Sequence, residues 1–219
     1  MIIPMHGAAE RVLMALHAGD AVAVPLPSPL PYAVVAADVG AVNRAKGRPA
    51  DQPLGLVTRG MEDIAPHLAM GPEHIATVVR LCTEERLNVF APLVDDAPAW
   101  LAQNRAHTDG NVGLMGSWLP ELRDVLLETG RLYVSSANPT GKPTAVTASE
   151  TDGVFGGRLL VVDGDHLRDP ARKHGSATIV RVSGDGDLTL VRHGVNDEGF
   201  DGDEAAYLAA LRRPAASRP

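Results

Sequence analysis

Four prolines at alternate positions, Pro25, Pro27, Pro29 and Pro31, cut through the most apolar region of the chain, Ala21 to Val42. Each proline fixes φ near about −65° and removes a backbone donor, so no continuous helix can run through this region and a bilayer-spanning helix is excluded there. The prolines instead separate two short apolar segments, AVAVP and PYAVVAAD, both of which read as strands. The N-terminal MIIPMHGAAERVLMALHAGD lacks the basic region, long apolar block and small-residue cleavage site of a secretory signal. No membrane association is expected.

With 219 residues, the chain can bury a substantial apolar core, and a single domain over residues 1–212 with a frayed tail at 213–219 is expected. Hydrophobic residues make up 45% and aromatic ones only 4%, which predicts a core of Val, Leu, Ile and Ala rather than rings. The single cysteine, Cys82, excludes an internal disulfide and any multi-cysteine metal or iron–sulfur site. It reads as a small buried hydrophobe and fits a reducing cytoplasm. A formal net charge of −7 disfavours indiscriminate wrapping of nucleic acid but permits a local cationic pocket. Of the 20 basic residues only Lys46, Lys142 and Lys173 are lysines, and two of these lie in the loops KGRP and TGKP.

The periodicity predicts an amphipathic helix over Ala8 to His17, with Val12, Leu13 and Leu16 on one face and Gly19 as the stop. Leu54 to Thr58 reads as a strand and NRAKGRPADQP before it as a loop. Glu62 to Leu81 reads as helix in two pieces broken at Gly71-Pro72. NVFAPLV and NVGLM read as strands. Leu119 to Thr129 reads as a helix with Leu122, Val125 and Leu126 inward and Gly130 at its end. LYVS, RLLVV, SATIVRV and DLTLVRH follow as strands, the last two joined by a hairpin over Ser183 to Asp187, and Asp203 to Arg212 is a terminal helix. Interleaved strands and helices with an antiparallel hairpin predict a mixed α/β (α+β) sheet rather than a purely doubly wound one.

Several familiar site patterns are absent. TGKP is not a phosphate loop, because Ser136 stands where the first glycine is required and Pro143 follows the lysine. No GxGxxG follows a strand, and no G-x-S-x-G elbow appears. The Asp-Gly-Asp triplets at Asp163, Asp185 and Asp201 lack calcium-loop spacing and read as solvated turns. No protein-bound metal is expected, and no catalytic side chain is singled out.

Two constellations remain. Lys46-Gly47-Arg48 sets two cations around a glycine, and in an extended segment residues two apart face the same side. Ser136-Ala137-Asn138 repeats the spacing with a hydroxyl and a carboxamide at a strand end, where ligands of open α/β sheets bind. Each has a plainer reading: a solvated basic loop and a self-satisfied turn. Together they predict a site for a phosphate-bearing ligand. Charge-assisted hydrogen bonds of roughly 1.5–3 kcal/mol each support about micromolar binding if ordering costs are modest.

KGRPADQPLGLV (Lys46 to Val57), SSANPTGKPTAVTASE (Ser135 to Glu150) and SATIVRV…LVRHG resemble, in the same order and across most of the chain to about Val195, the YrdC-like family of threonylcarbamoyl-AMP synthases. The resemblance implies a twisted mixed open sheet with flanking helices and a large concave cleft. It implies a nucleotidyltransferase that combines ATP, carried with Mg²⁺, with threonine and bicarbonate. It also implies transfer proteins and RNA (tRNA or double-stranded RNA) as partners beside the nucleotide. Lys46, Arg48, Ser136 and Asn138 then line the nucleotide site; Thr178 or the adjoining Ser176 matches the family's S-T-I-V run, and Arg192 its L-R-x-G arginine.

The likeness is uneven. Where the family has Pro-Thr-Glu/Asp-Thr-x-Tyr-Gly-Leu this chain has Pro27-Ser28-Pro29-Leu30-Pro31-Tyr32-Ala33-Val34. Its Pro-Gly-Pro-x-Thr segment appears as Phe90 to Val94, and its Arg-x-Pro element falls near Met115-Gly116-Ser117. Three readings stay open: a divergent threonylcarbamoyl-AMP synthase, a relative activating a different carbamate or acid, and a non-catalytic nucleotide- or RNA-binding protein.

Overall fold

The structure is a computed structural model and describes residues 1–102, 105–106 and 110–213. Most of the expected tail, residues 214–219, lies outside the described residues. In chain order the elements are β1 (Ile2–Pro4), α1 (Ala8–His17), β2 (Val22–Pro25), β3 (Tyr32–Ala36), α2 (Val39–Ala45), β4 (Gly55–Thr58), α3 (Pro72–Thr83), β5 (Asn88–Pro92) and α4 (Ala99–Ala102). They continue with β6 (Arg105–Ala106), β7 (Asn111–Met115), α5 (Arg123–Thr129), β8 (Arg131–Ser136), α6 (Ala148–Phe155), β9 (Leu160–Asp163), β10 (Ile179–Val182), β11 (Leu188–Arg192) and α7 (Glu204–Leu211).

Ten strands form one mixed open sheet in the order β1-β9-β2-β3-β8-β4-β7-β5-β10-β11, with β6 beside β7. The pairs β1–β9, β2–β9, β4–β7 and β5–β10 are parallel and the others antiparallel. Every residue of β2 and β3 is buried, so these strands run through the middle of the core. The prolines do what their chemistry requires: β2 ends at Pro25, and the chain reverses over residues 26–31 to pair β3 antiparallel to β2.

Helix α1 buries Val12 and Leu16, and α5 buries Val125 and Leu126 after a 3₁₀ turn over Pro120–Leu122. Gly130 caps α5 with φ 71° and its N–H on the Leu126 carbonyl. The β10–β11 hairpin closes as its sequence requires, Ser183 N–H donating to Asp187 O over 2.9 Å with Gly186 at φ 84°.

The structure differs from the sequence reading at particular places. NRAKGRPADQP is not all loop, because Asn43 to Ala45 complete α2, which Asp38 caps by accepting from Ala41 N–H. The segment before Gly71 forms only two 3₁₀ turns, Met61–Asp63 and Ala65–His67, since Pro66 interrupts any longer run. Rings do enter the core: Tyr32 and Tyr133 are fully buried because their hydroxyls find partners, Asp165 at 2.7 Å and the Trp100 carbonyl at 2.9 Å. The first Asp-Gly-Asp triplet is not a solvated turn, since Asp165 also accepts from the Ala148 N–H at the start of α6. Cys82 is fully buried, and burial pushes its thiol pKa far up.

After β11 the chain turns back at Gly194, whose backbone lies directly on the lead-in to β10. A methyl group there would sit 2.4 Å from the Ser176 oxygen and the Thr178 nitrogen. Gly194→Ala is expected to lower the unfolding free energy by about 1–3 kcal/mol; a urea midpoint equal to that of the parent would show that this contact yields freely.

Candidate functional site

The last turn of α2 builds the cationic side. Lys46 caps the helix, Gly47 takes the left-handed conformation at φ 65°, and Arg48 N–H returns to the Asn43 carbonyl at 2.9 Å. Buried Asn43 then clamps the following loop through Nδ2, which donates to the carbonyls of Ala50 and Gln52 at 3.0 and 2.8 Å. Lys46 and Arg48 therefore converge through a helix-stop turn, not through an extended segment: only glycine turns the chain this way cheaply.

Both cations reach the end of β8. Lys46 Nζ donates to the Ser136 carbonyl and, at 3.2 Å, to Asn138 Oδ1. Arg48 donates through Nη1 to Ser135 Oγ and through Nε to Thr140 Oγ1, both at 3.1 Å. Ser136 Oγ donates to Asn138 Oδ1 at 2.7 Å, and Asn138 Nδ2 to the Lys142 carbonyl at 2.5 Å. Lys46, Ser136 and Asn138 thus form one hydrogen-bonded cluster, and Arg48 is bonded to the neighbouring Ser135 and Thr140. Burial first, and repulsion from Arg48 second, push the Lys46 pKa down to about 7.

A cavity of about 270 Å³ opens beside this cluster, just below the roughly 300–1,000 Å³ usual for small-molecule sites. It crosses the sheet from Ala33 of β3 past Ser136 of β8, Gly55 of β4 and Met115 of β7 to Phe90 of β5 and Ile179 of β10. Arg48, Ser135, Ser136, Ser176 and Arg192 bring polar groups to it, and among the described residues no carboxylate lines it. Ser176 Oγ is 3.0 Å from Thr144 Oγ1, and Arg192 Nη2 donates to the Ala177 carbonyl at 2.8 Å.

The cavity thus brings Arg48, Ser136, Ser176 and Arg192 together, while Lys46 and Asn138 stand behind its wall. Thr178 is placed elsewhere. It is fully buried and donates to Asp197 Oδ1, which also accepts from Gly194 N–H at 2.7 Å; Asp197 Oδ2 meets His193 Nδ1 at 2.5 Å. Burial alone would raise the Asp197 pKa, but the hydrogen bonds from Thr178, His193 and Gly194 outweigh it and hold the carboxyl below its usual range. Thr178 fastens the turn after β11 instead of facing the cavity. Ser135, which the sequence reading passed over, holds Arg48; its signal was the doubled serine at the end of an apolar strand. Among the described residues no three His, Cys, Asp or Glu side chains are grouped to hold a metal ion, and no helix is long and apolar enough to cross a membrane.

Sheet and cavity together define an α/β protein with a cationic, hydroxyl-bearing pocket of small-molecule size at its strand ends. The profile of the Sua5/YciO/YrdC family, described as telomere recombination, matches residues 15–194, and the chain belongs to that family. No curated protein sequence matches it. Solved structures share the fold. Sua5 of P. abyssi complexed with L-threonine is 22% identical with a TM-score of 0.68, over 93% of this chain and 61% of that one. E. coli YciO is 13% identical with a TM-score of 0.64, over 89% and 95% of the two chains. A full-length HypF in a phosphate- and nucleotide-bound form is 18% identical with a TM-score of 0.66, over 86% of this chain and 29% of that one. This chain thus spans only about 60% of the Sua5 chains it resembles.

Lys46 generates a prediction. Its folded pKa of about 7 lies below the ordinary 10.5, so between those values the unfolded chain binds the extra proton and stability rises with pH. Below pH 7 both states are charged and the whole cost of burying the ammonium is borne. Lys46→Met is expected to gain most over the parent at pH 6 and least near pH 10, read as the difference in denaturant midpoints. A difference independent of pH would place the ammonium in water.

Proposed function

We propose that this chain binds ATP in the cavity and transfers the adenylyl group to an oxygen of a carbamate or carboxylate, the reaction type of threonylcarbamoyl-AMP synthesis. The observation that carries this reading is the meeting of Arg48 and Arg192, from distant parts of the chain, in one cavity with three serine hydroxyls and no carboxylate among the described residues. Such a lining suits an anion with many oxygen acceptors. The family membership and the nucleotide-bound HypF relative support the choice of a nucleotide.

Adenylyl transfer makes few demands on side-chain chemistry. The attacking oxygen bonds to the α-phosphorus, the bond from that phosphorus to the β-phosphate bridge breaks, and pyrophosphate leaves with the electron pair. Positioning and cations that take up the developing charge suffice, with Mg²⁺ arriving as the ATP complex. Arg48 and Arg192 hold phosphate oxygens, Ser136 and Ser176 orient them, and Lys46 adds charge from behind Ser136 once it is protonated. In this reading transfer proteins pass the activated group on to tRNA.

Calorimetry with ATP and a pyrophosphate-release assay with threonine, bicarbonate and other acids test the proposal. Arg48→Ala and Arg192→Ala are each expected to weaken ATP binding by at least about tenfold, the equivalent of a lost charge-assisted hydrogen bond. Bound phosphate favours the Lys46 ammonium, so affinity is greatest below pH 7 and falls above it by up to about tenfold per pH unit, a dependence absent from Lys46→Met. ATP binding without pyrophosphate release from any acid would leave a nucleotide-binding protein without turnover; absence of ATP binding would end the proposal.

A further inference from the structure

Anion binding accounts for only part of the cavity. Leu26, Leu30, Phe90, Met115 and Ile179 also line it, none more than 8% exposed. Strand alternation puts two of them there. In β5, Val89 and Ala91 join the main core while Phe90 between them faces the other way; in β10, Val180 and Val182 join it and Ile179 does not. Phe90 and Ile179 pack on each other as a pair apart from that core. The space in front of them exists because Gly55 of β4 pairs with Gly113 of β7, and Gly113 with Phe90. A methyl group on Gly113 would lie 3.1 Å from the Phe90 ring, and one on Gly55 would lie 3.4 Å from Met115 Sδ.

The leucines arrive on the four-proline segment, which the loop before β10 and the turn before β5 hold against the cavity. Arg168 donates to the Leu30 carbonyl at 2.9 Å, Gly175 N–H to the Pro29 carbonyl at 3.3 Å, and Arg86 to the Ser28 carbonyl. Tyr32 is engaged with Asp165 and Gly164 and does not line the cavity. Each of the three segments that break the family pattern, 27–34, 90–94 and 115–117, thus delivers an apolar side chain to the cavity: Leu30, Phe90 and Met115. These side chains favour an apolar body and offer no counter-charge to a second carboxylate, which is costly to bury unpaired; Asn88 and Gln52, which line the cavity with them, are uncharged.

We infer that the second substrate of this cavity carries a single –CO₂⁻ group on an apolar body, and that Leu30, Phe90, Met115 and Ile179 select it. This rests on the adenylate-forming reading above and names its acceptor class: an aliphatic or aromatic carboxylic acid, or an N-carboxylated apolar amine. One carboxylate oxygen forms the bond to the α-phosphorus of ATP, the bond to the pyrophosphate bridge breaks, and the electron pair leaves with pyrophosphate. No proton is exchanged and nothing is oxidised.

Pyrophosphate release is measured with ATP and Mg²⁺ against three sets: straight-chain acids from acetate to hexanoate, 3-methylbutylamine or 2-phenylethylamine with bicarbonate, and threonine with bicarbonate. The expected result is kcat/KM for a member of the first or second set at least about tenfold above threonine, with a rise of about fourfold per added methylene in the acid series when the acids are the substrate. Release from the first set identifies a carboxylic acid; release from the second alone identifies a carbamate. Phe90→Ala, whose ring lies outside the main core, is expected to reduce the preference over threonine about tenfold, with Ile179→Val giving a smaller loss in the same direction. Threonine used as well as or better than the apolar compounds overturns this inference and leaves adenylate formation standing. Release from none of the three sets, with ATP bound, removes both.

Discussion

The Lys46 ammonium is the interaction on which the site depends. Withdrawn from water, it is held by the Ser136 carbonyl and the Asn138 side chain, and so ties the end of α2 to the end of β8. A buried ammonium is costly unless its donors are used, and its lowered pKa is the measure of that cost. The fold bears it because the surroundings leave little choice: Gly47 sets the turn, Asn43 fixes the loop behind it, and β8 is locked between β3 and β4. Arg48 is then delivered to the cavity edge with its guanidinium already ordered by Ser135 and Thr140.

How much of this can be read from the sequence depends on whether a signal is local. The ends of α1, the hairpin at Ser183 to Asp187 and the glycine stop at Gly130 are set by neighbours within a few residues, and they stand where the pattern puts them. Strand β1 has no such signal, since three residues become a strand only by pairing with β9, which comes near the other end of the chain. Helix α6 did carry one. Thr147 and Glu150 form a reciprocal capping box, but the dense run of small polar groups around them invited a ligand-binding reading instead.

The site shows the same division. Lys46, Arg48, Ser136 and Asn138 are conspicuous as paired small or charged groups at the edges of regular structure; Lys46 meets Ser136 and Asn138, and Arg48 meets Ser135 and Thr140 beside them. The reasoning from extended geometry was nevertheless wrong for Lys46 and Arg48, because the left-handed Gly47 turn decides their direction. Thr178 was attractive only as part of a run; next to Ser176 its position gave no hint that the hydroxyl would be used by Asp197. Leu30, Phe90 and Met115 could not be recognised as cavity residues at all, since an apolar side chain announces burial but not whether it is buried in the core or beneath a vacancy in the sheet.

The two arginines at the cavity come from α2's exit and from the last strand of the sheet, and β11 is joined to that sheet by its pairing with β10, which itself leans on β5. During synthesis the first four-fifths of the polypeptide can emerge and collapse without possessing a complete anion pocket. The cavity is therefore completed late, when the final hairpin docks. A ribosome-bound or truncated product ending before Arg192 lacks part of the cavity lining, however native its central strands have become.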